Sequence, residues 1–569
     1  MRYLALASDY DGTLAHDGRV RPSTIEALEK LKESGRKLIM VTGRELPDLK
    51  TVFDRFDLFD YIVAENGALL FNPADRCETP LSEAPPPAFL ENLSQNGVEF
   101  SVGKNIVATT TPYAEKVLKA IQELGLEMQV IFNKGAAMVL PSGVNKATGL
   151  QAALEKMRLS AHNVVGVGDA ENDHALLASC EFSVAVANSV ETLKERADWV
   201  TSKARGEGVE ELIAKMIESD LCTFDAQLQR HRLVIGKTDK GESVHVAQTR
   251  GSILIAGPSG SGKSTLTSSL LEQMMEQKYQ FCLIDPEGDY DGLPDAIMIG
   301  TPSDAPNLAE IDKALDAASR NVVVNLLAIP LADRPVFFAG LLGRLLELRT
   351  ATGRPHWIVV DEAHHMLPKD WVPAPAMLPQ SLGGMMFITV HPSWMADASL
   401  QAIDTFVAIG KESKKTIIDF AQAVGEQVPT DLGEQDLESG EADVWLRREG
   451  SPVVRVKTEK GSFERRRHVR KYAEGELPEE RSFYFRGPKG ALNLRAQNLN
   501  MFLQIADGVD DDTWMHHLKK NEYSAWMRSK IKDDDLADEI ASIEREVRDP
   551  KQSREQVKQA VERRYTAAA

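Results

Sequence analysis

Residues 4–8 are apolar or small and lead straight into Asp9, the pattern of a buried strand that delivers a functional loop. Ile25, Leu28 and Leu31 follow at helical spacing behind an S-x-x-E capping box, Ser23 with Glu26, and Gly35 closes that helix. Apolar runs in KLIMVTGR and YIVAENG predict two more buried strands. Strands and helices therefore alternate as in a doubly wound parallel sheet, which places chemistry at the carboxyl ends of the strands. From residue 78 to 144 the pattern is mixed and is entered through a Pro-rich stretch, after which the alternation resumes with KATGLQAALEKM and NVVGVGD. This predicts a core over residues 1–77 and 145–219 with an inserted α/β cap over 78–144.

Beyond residue 219 a short bridge leads into RLVIGKTDKGESVHV, a predicted hairpin, and SILIAGPSGSGKST opens a second α/β block over residues 228–457. A third unit follows. It opens on the basic run Arg465 to Lys471, and a mainly helical module is predicted over residues 472–569. In its helical stretch Trp514, Leu518, Tyr523, Trp526 and Ile531 fall on one amphipathic side and predict a small core. Docking is the natural role for such a module.

At 569 residues the chain exceeds what one core serves. It is 43% apolar and 27% charged, without an apolar run near twenty residues, which excludes a mainly disordered or membrane-embedded chain. The amino terminus has one Arg, a short apolar stretch and then Asp9, so a signal peptide is not expected. Four scattered cysteines without a CxxC pair fit a reducing, cytoplasmic setting. With 66 basic against 85 acidic residues, the net charge of -19 repels phosphate backbones. DNA contact would have to be local or assembled by an oligomer.

Asp9 and Asp11 stand two residues apart in SDYDGTLA, so an extended turn can aim both carboxylates at one site while Gly12 permits close backbone approach. Thr42 in VTGR, Lys146 in NKATGL, and Asp169, Asn172 and Asp173 in VGDAEND each come after a strand or at a helix start. A single Asp beside Gly is usually a turn residue. Four motifs in order carry more, and the set resembles the haloacid dehalogenase superfamily, in particular its capped Cof-type phosphatases, which include sugar-phosphate and phosphoglycolate phosphatases. The likeness covers residues 1 to about 219 and implies a Rossmann-like core. It implies Asp9 as the nucleophile that forms an aspartyl-phosphate, Asp11 as the acid and later the base, and Thr42 and Lys146 as holders of the phosphoryl group. It further implies Mg²⁺ held by Asp9, Asp169, the Asp11 carbonyl and Asn172 or Asp173, since a hard cation takes oxygen ligands and shields carboxylate from phosphate. Glu65-Asn66-Gly67 matches a loop of that family near the cap hinge.

Gly257 to Ser264, GPSGSGKS, fits the phosphate-binding pattern G-x-x-x-x-G-K-S between a predicted strand and helix. Gly257, Gly260 and Gly262 let backbone N–H groups wrap the phosphates of ATP, Lys263 reaches the β and γ oxygens, and Ser264, followed by Thr265, completes a Mg²⁺ shell. In WIVVDEAHH, Asp361 arrives at a strand end for Mg²⁺ and Glu362 can activate water, a pair that favours hydrolysis over transfer to an alcohol. His364 and His365 lack a third spaced metal ligand and read as a helix start. With IDPEGDY and FITVHPSWM, this block resembles the HerA/FtsK-type ATPases, RecA-like ring motors that commonly translocate DNA; a HerA-like interface implies a hexamer. It departs from that pattern at Thr389 and His391, where Gln is frequent, and Arg334, Arg344, Arg349 and Arg354 are candidates for a trans-acting arginine.

The sequence thus points to a Mg²⁺-dependent phosphomonoester hydrolase, acting on a phosphorylated small molecule, fused to an ATP-hydrolysing domain that gates or positions it. A second reading is a nucleic-acid translocase or defence ATPase whose phosphatase domain acts on nucleotides or nucleic-acid ends. Arg465, Arg466, Arg467, His468, Arg470 and Lys471, with Phe483, Tyr484 and Phe485 to stack on bases, would serve that reading. A solvated strand edge is the plainer role for them.

Overall fold

In a computed structural model of the chain, Ala5–Ser8 is buried along its whole length and pairs in parallel with Val164–Gly168 on one side and Lys37–Val41 on the other. The structure describes all residues except 134, 226, 227, 229, 247–250, 371–381, 430, 431, 433–435, 448–451, 460, 462–476, 478, 489, 491, 532 and 566–569. The basic run 465–471 lies outside the described residues.

Alternation along these strands sets the two faces of the sheet. Leu6, Met40, Val165 and Val167 pack with Leu28, Leu31, Leu212 and Met216 of the helices Pro22–Glu33 and Arg205–Ser219. Ala5, Ala7, Ile39 and Val41 pack with Leu150, Ala153 and Leu154 of the helix Lys146–Met157. The eight strands run in the order Trp199–Val200, Phe182–Ala185, Val164–Gly168, Ala5–Ser8, Lys37–Val41, Tyr61–Ala64, Leu69–Asn72, Cys77–Pro80. The first six are parallel and the last two antiparallel, so the boundary expected at residue 78 falls inside a core strand. One local expectation fails. The first helix starts at Pro22, whose ring presets the helical backbone, and Ser23 does not cap it: its hydroxyl donates to Glu210 at 2.8 Å.

Between the core strands lies a four-stranded antiparallel sheet, Met128–Asn133, Ala136–Pro141, Val107–Thr110 and Phe100–Val102. The helices Pro87–Gln95 and Ala114–Glu123 cover it through Phe89, Leu93 and Val117.

The second α/β block forms an eleven-stranded sheet. Seven strands are parallel, in the order Thr405–Ile409, Ser252–Ala256, Met385–Thr389, Trp357–Val360, Phe281–Asp285, Asn321–Asn325, Ala296–Ile299. The predicted hairpin, Leu233–Lys237 with Ser243–Val246, joins Val454–Thr458 and Glu441–Leu446 in an antiparallel extension. Ser252–Ala256 and Trp357–Val360, which precede the glycine loop and Asp361, flank Met385–Thr389.

By contacts the chain divides into two compact units, Met1–Pro286 with Asp295–Gly461, and Glu287–Pro294 with Ser462–Ala569. In the second, the hairpin Phe483–Phe485 with Leu494–Ala496 and helices from Leu499–Gly508 to Pro550–Tyr565 enclose one core. Trp514, Leu518, Tyr523, Trp526 and Ile531 are all in it. So are Phe483 and Phe485, which removes both rings from base stacking. No helix among the described residues is long and apolar enough to cross a membrane.

Candidate active sites

Asp9, Thr42 and Asp169 directly follow three adjacent parallel strands, Ala5–Ser8, Lys37–Val41 and Val164–Gly168. The sheet alone therefore gathers them. Lys146 enters at the first position of its helix, which Asn145 caps by accepting from the backbone N–H groups of Ala147 and Thr148. Its ammonium, 1% exposed, donates to Asp9 Oδ1 at 2.5 Å and to Asp173 Oδ1 at 2.6 Å. The other Asp173 oxygen accepts from the N–H groups of Asp169 and Ala170, each at 3.0 Å. Gly168 is required beside it, because a Cβ there would stand 2.6 Å from Asp173 Cγ.

The charges in this cluster set one another. Burial first, and Asp173 next, push the Asp9 carboxyl up to about 7 against the pull of Lys146. Burial works against the Lys146 cation, yet Asp173 and Asp9 outweigh it and hold the ammonium above its ordinary value. Asp11 is gripped at both oxygens by Arg44, Nε to Oδ2 at 2.6 Å and Nη2 to Oδ1 at 2.7 Å. Thr42 is buried, and its hydroxyl oxygen accepts from the Arg44 N–H at 3.1 Å.

The oxygens of Asp9, Asp169 and Asp173 lie within 4.8 Å of one another. Asp169 accepts from Thr13 Oγ1 at 3.4 Å and Asn188 Nδ2 at 3.2 Å. Asn172 donates to Asn66 Oδ1 at 3.1 Å, and its own buried Oδ1 has no protein partner. An all-oxygen set with an unanswered amide oxygen fits a hard divalent cation such as Mg²⁺. Asp173 is the weakest ligand of the expected set, since Lys146 and two backbone N–H groups already engage it.

The inserted segment approaches this site through Met138 and through the loop at Lys104 and Asn105. Met138 lies over Gly43, where a Cβ would stand 3.1 Å from its Cε. Glu65, in a left-handed backbone conformation at φ 51°, accepts from the N–H groups of Lys104 at 2.9 Å and Asn105 at 2.7 Å. Burial raises the Glu65 carboxyl above its usual range, opposed by these two backbone donors. Arg44, Thr13 and Asn188 were not among the residues singled out in the sequence. Arg44 adjoins Thr42 in VTGR and was open to being found there, whereas Asn188 carries no local signal.

The second site is built largely from backbone. Gly257, Gly260 and Gly262 have positive φ, and a Cβ at Gly257 would stand 2.1 Å from the Ile409 carbonyl oxygen. The loop ends at the helix Lys263–Glu276. Lys263 is buried and donates to the carbonyl oxygens of Gly257 at 2.7 Å and Pro258 at 3.1 Å. Ser264 is half-buried and Thr265 exposed. Across from the loop, Asp361 Oδ1 accepts from the Glu362 N–H at 3.0 Å, and Glu362 sits in a left-handed turn, φ 43°. His364 Nδ1 lies 3.1 Å from Thr389 Oγ1 and 3.5 Å from Glu362. Burial, then His365, His391 and Lys263, lowers His364 to about 4, so its imidazole is neutral at pH 7. Thr389 therefore fills the polar strand-end position with a link to the Asp361–Glu362 turn.

The candidate trans-acting arginines have local uses. Arg349 donates to the carbonyl oxygens of Pro355 and Gly383, Arg334 to that of Ile329, and Arg344 pairs with Asp312. Arg354 is fully buried and donates to the Arg158 carbonyl oxygen at 2.7 Å.

Comparison with known proteins bears on both blocks. The haloacid dehalogenase-like hydrolase family matches residues 6–123 and 91–213, and an AAA domain matches residues 245–380. A phosphoglycolate phosphatase of Methanothermobacter thermautotrophicus is 33% identical over 220 residues, 37% of this chain and 98% of that protein. Phosphoglycolate phosphatase 2 of Saccharolobus solfataricus is 30% identical over 221 residues, 38% of this chain and 94% of that protein. A crystal structure of a haloacid dehalogenase-like hydrolase from Bacteroides thetaiotaomicron aligns at 19% identity with a TM-score of 0.34, over 38% of this chain and 99% of that one. Through its amino-terminal residues the chain belongs to the haloacid dehalogenase-like hydrolases, as a phosphatase continued in the same polypeptide by an AAA-type P-loop ATPase domain.

Proposed function

We propose that residues 1–219 form a Mg²⁺-dependent phosphomonoester hydrolase, and that a HerA-like P-loop domain hydrolyses ATP and gates it. The observation that carries the first half is Lys146 held between Asp9 and Asp173 beside Asp169. Asp9 attacks phosphorus, the ester P–O bond breaks, and Asp11 gives a proton to the leaving oxygen. Asp11 then takes a proton from the water that cleaves the aspartyl-phosphate, which releases phosphate and restores Asp9. For the acid step Arg44 must free one oxygen of Asp11, so Arg44 is a positioning residue that holds the carboxylate in place for the base step. Thr42 and Lys146 hold the transferring phosphoryl group. Asp9, the Asp11 carbonyl, Asp169 and Asn172, with Asp173, would hold Mg²⁺, which would supply positive charge to offset that of carboxylate and phosphate.

In the second site, the backbone of Gly257, Gly260 and Gly262 with Lys263, Ser264 and Thr265 receives ATP and its Mg²⁺ together with Asp361. Glu362 takes a proton from the attacking water. Coupling is favoured by a direct path: the helix that starts at Lys146 ends against Arg158, whose carbonyl oxygen accepts from Arg354 of the P-loop domain. Relatives named as phosphoglycolate phosphatases favour a small carboxylated phosphomonoester as the substrate.

The test is formation of the dephosphorylated product, glycolate from 2-phosphoglycolate and its counterparts from sugar phosphates, nucleotides and nucleic-acid ends, with and without ATP, by the full chain and by Lys263→Ala. Preference for 2-phosphoglycolate, and an ATP effect that Lys263→Ala abolishes, are expected. Identical rates in both proteins would sink the coupling. Preference for nucleic-acid ends, with salt-sensitive DNA binding by a hexamer, would establish the translocase reading instead.

A further inference from the structure

Three metal-ligand side chains converge at the opposite, amino-terminal end of the first sheet from Asp9. His162 belongs to the turn Ala161–Asn163 before the strand Val164–Gly168, and Glu181 immediately precedes the strand Phe182–Ala185. His231 comes from the segment before the hairpin of the P-loop domain. His162 Nδ1 lies 2.7 Å and His231 Nδ1 2.9 Å from the same oxygen, Glu181 Oε2. His162 and Glu181 are buried, and the His231 side chain is 25% exposed.

Proton counting makes the cluster informative. His162 Nε2 lies 2.8 Å from the Gln277 carbonyl oxygen, which only accepts, so Nε2 carries the hydrogen. A neutral imidazole then turns the Nδ1 lone pair toward a carboxylate oxygen at 2.7 Å. Only positive charge between them, a proton or a metal ion, makes that approach favourable. One proton would serve His162 and Glu181 but would leave His231 Nδ1, which faces the same oxygen without the geometry of a hydrogen bond. A cation serves all three.

The surroundings match as well. A ligating imidazole typically donates its other N–H to a carbonyl, and a ligating carboxylate is itself hydrogen-bonded. His162 does the first through Gln277. Glu181 does the second through Oε1, which accepts from Arg2 Nη2 at 2.6 Å and from the Tyr279 hydroxyl at 3.2 Å.

We propose that His162 Nδ1, Glu181 Oε2 and His231 Nδ1 form a transition-metal site, suited best to Zn²⁺, that pins the phosphatase core to the P-loop domain. Two imidazoles and one carboxylate are a zinc donor set with the fourth position open to water. Ligands about 2.0–2.1 Å from a tetrahedral ion stand about 3.3 Å apart, so the donors must spread by roughly half an ångström. His231, the most exposed of the three, is the one to move.

The experiment titrates the full chain, in excess Mg²⁺, with Co²⁺ as a visible probe that Zn²⁺ then displaces. One equivalent per chain with a tetrahedral absorption spectrum is expected, together with a higher thermal midpoint on adding Zn²⁺. Asp169→Asn, at the carboxylate site, should keep both signals. His231→Ala should bind at least about 100-fold more weakly, and His231→Cys, which restores a zinc ligand, should recover binding. Absence of Co²⁺ uptake by the wild type, or uptake that Asp169→Asn abolishes and His231→Ala preserves, would overturn the site.

Discussion

The chain handles phosphate twice, and the two sites solve the charge problem by different means. In the first, four carboxylates are locked by side chains: Lys146 spans Asp9 and Asp173, Arg44 grips Asp11, and Asn188 and Thr13 hold Asp169. Lys146 lies 137 positions from Asp9, so the whole sheet must fold before these charges can meet. In the second, one glycine loop is proposed to bind the anion through its backbone, and its lysine donates to carbonyl oxygens of the same loop. A side-chain cage couples catalysis to stability. A backbone cradle leaves them largely separate.

The hardest test of that separation is Asp9→Asn. It removes the proposed nucleophile while keeping shape, so phosphomonoester turnover should fall by about 10,000-fold or more, equivalent to about 5.5 kcal/mol of barrier. ATP hydrolysis by the same preparation should stay within twofold. Parallel assays decide it, and a matching loss of ATPase activity would mean that the sites are not distinct.

Lys146→Met carries the next largest effect, this time on stability. It strands Asp9 and Asp173 in a buried setting without their shared cation, and breaking such a pair costs about 3–5 kcal/mol. Denaturant unfolding measures it. Glu362→Gln is the counterpart in the second site. It should lower ATP hydrolysis by about 100- to 1000-fold, since general-base assistance is worth that much, while ATP affinity and the unfolding midpoint barely change. An equal stability loss in both variants would mean that the two sites depend on their charges for stability alike.

How much of this was legible in the sequence follows from the same contrast. Asp9, Thr42 and Asp169 were readable because each ends an apolar run, and parallel strands deliver their carboxyl ends to one edge. The glycine loop was readable because its ligands are consecutive. Partners set by long-range packing were not. The Arg44 grip on Asp11, the Asn188 contact with Asp169 and the Arg354 bond to Arg158 each join positions without a shared local pattern. Ser23 misled for the opposite reason: a local capping motif lost to Pro22, which fixed the helix start, and to Glu210 on a neighbouring helix. Phe483 and Phe485 read as stacking rings or, more plainly, as a solvated strand edge, and the helices packed on them bury both rings instead.

The smallest expected effect probes how the cap is fastened. Glu65 has one oxygen for each of two backbone N–H groups, Lys104 and Asn105. In Glu65→Gln one oxygen becomes an NH₂, which sets donor against donor and leaves one buried N–H unanswered, at a cost of about 1–2 kcal/mol. Part of that is returned, because burial disfavours the Glu65 charge and the variant has none. The loss should therefore fall on the cap rather than on the whole chain. Hydrogen exchange at the Lys104 and Asn105 amides should speed up by about tenfold while amides in Val164–Gly168 keep their rates. Unchanged exchange at both amides would show that the cap is held by the apolar cluster in which Ile106, Met138 and Leu140 pack with Ala68, and not by this carboxylate.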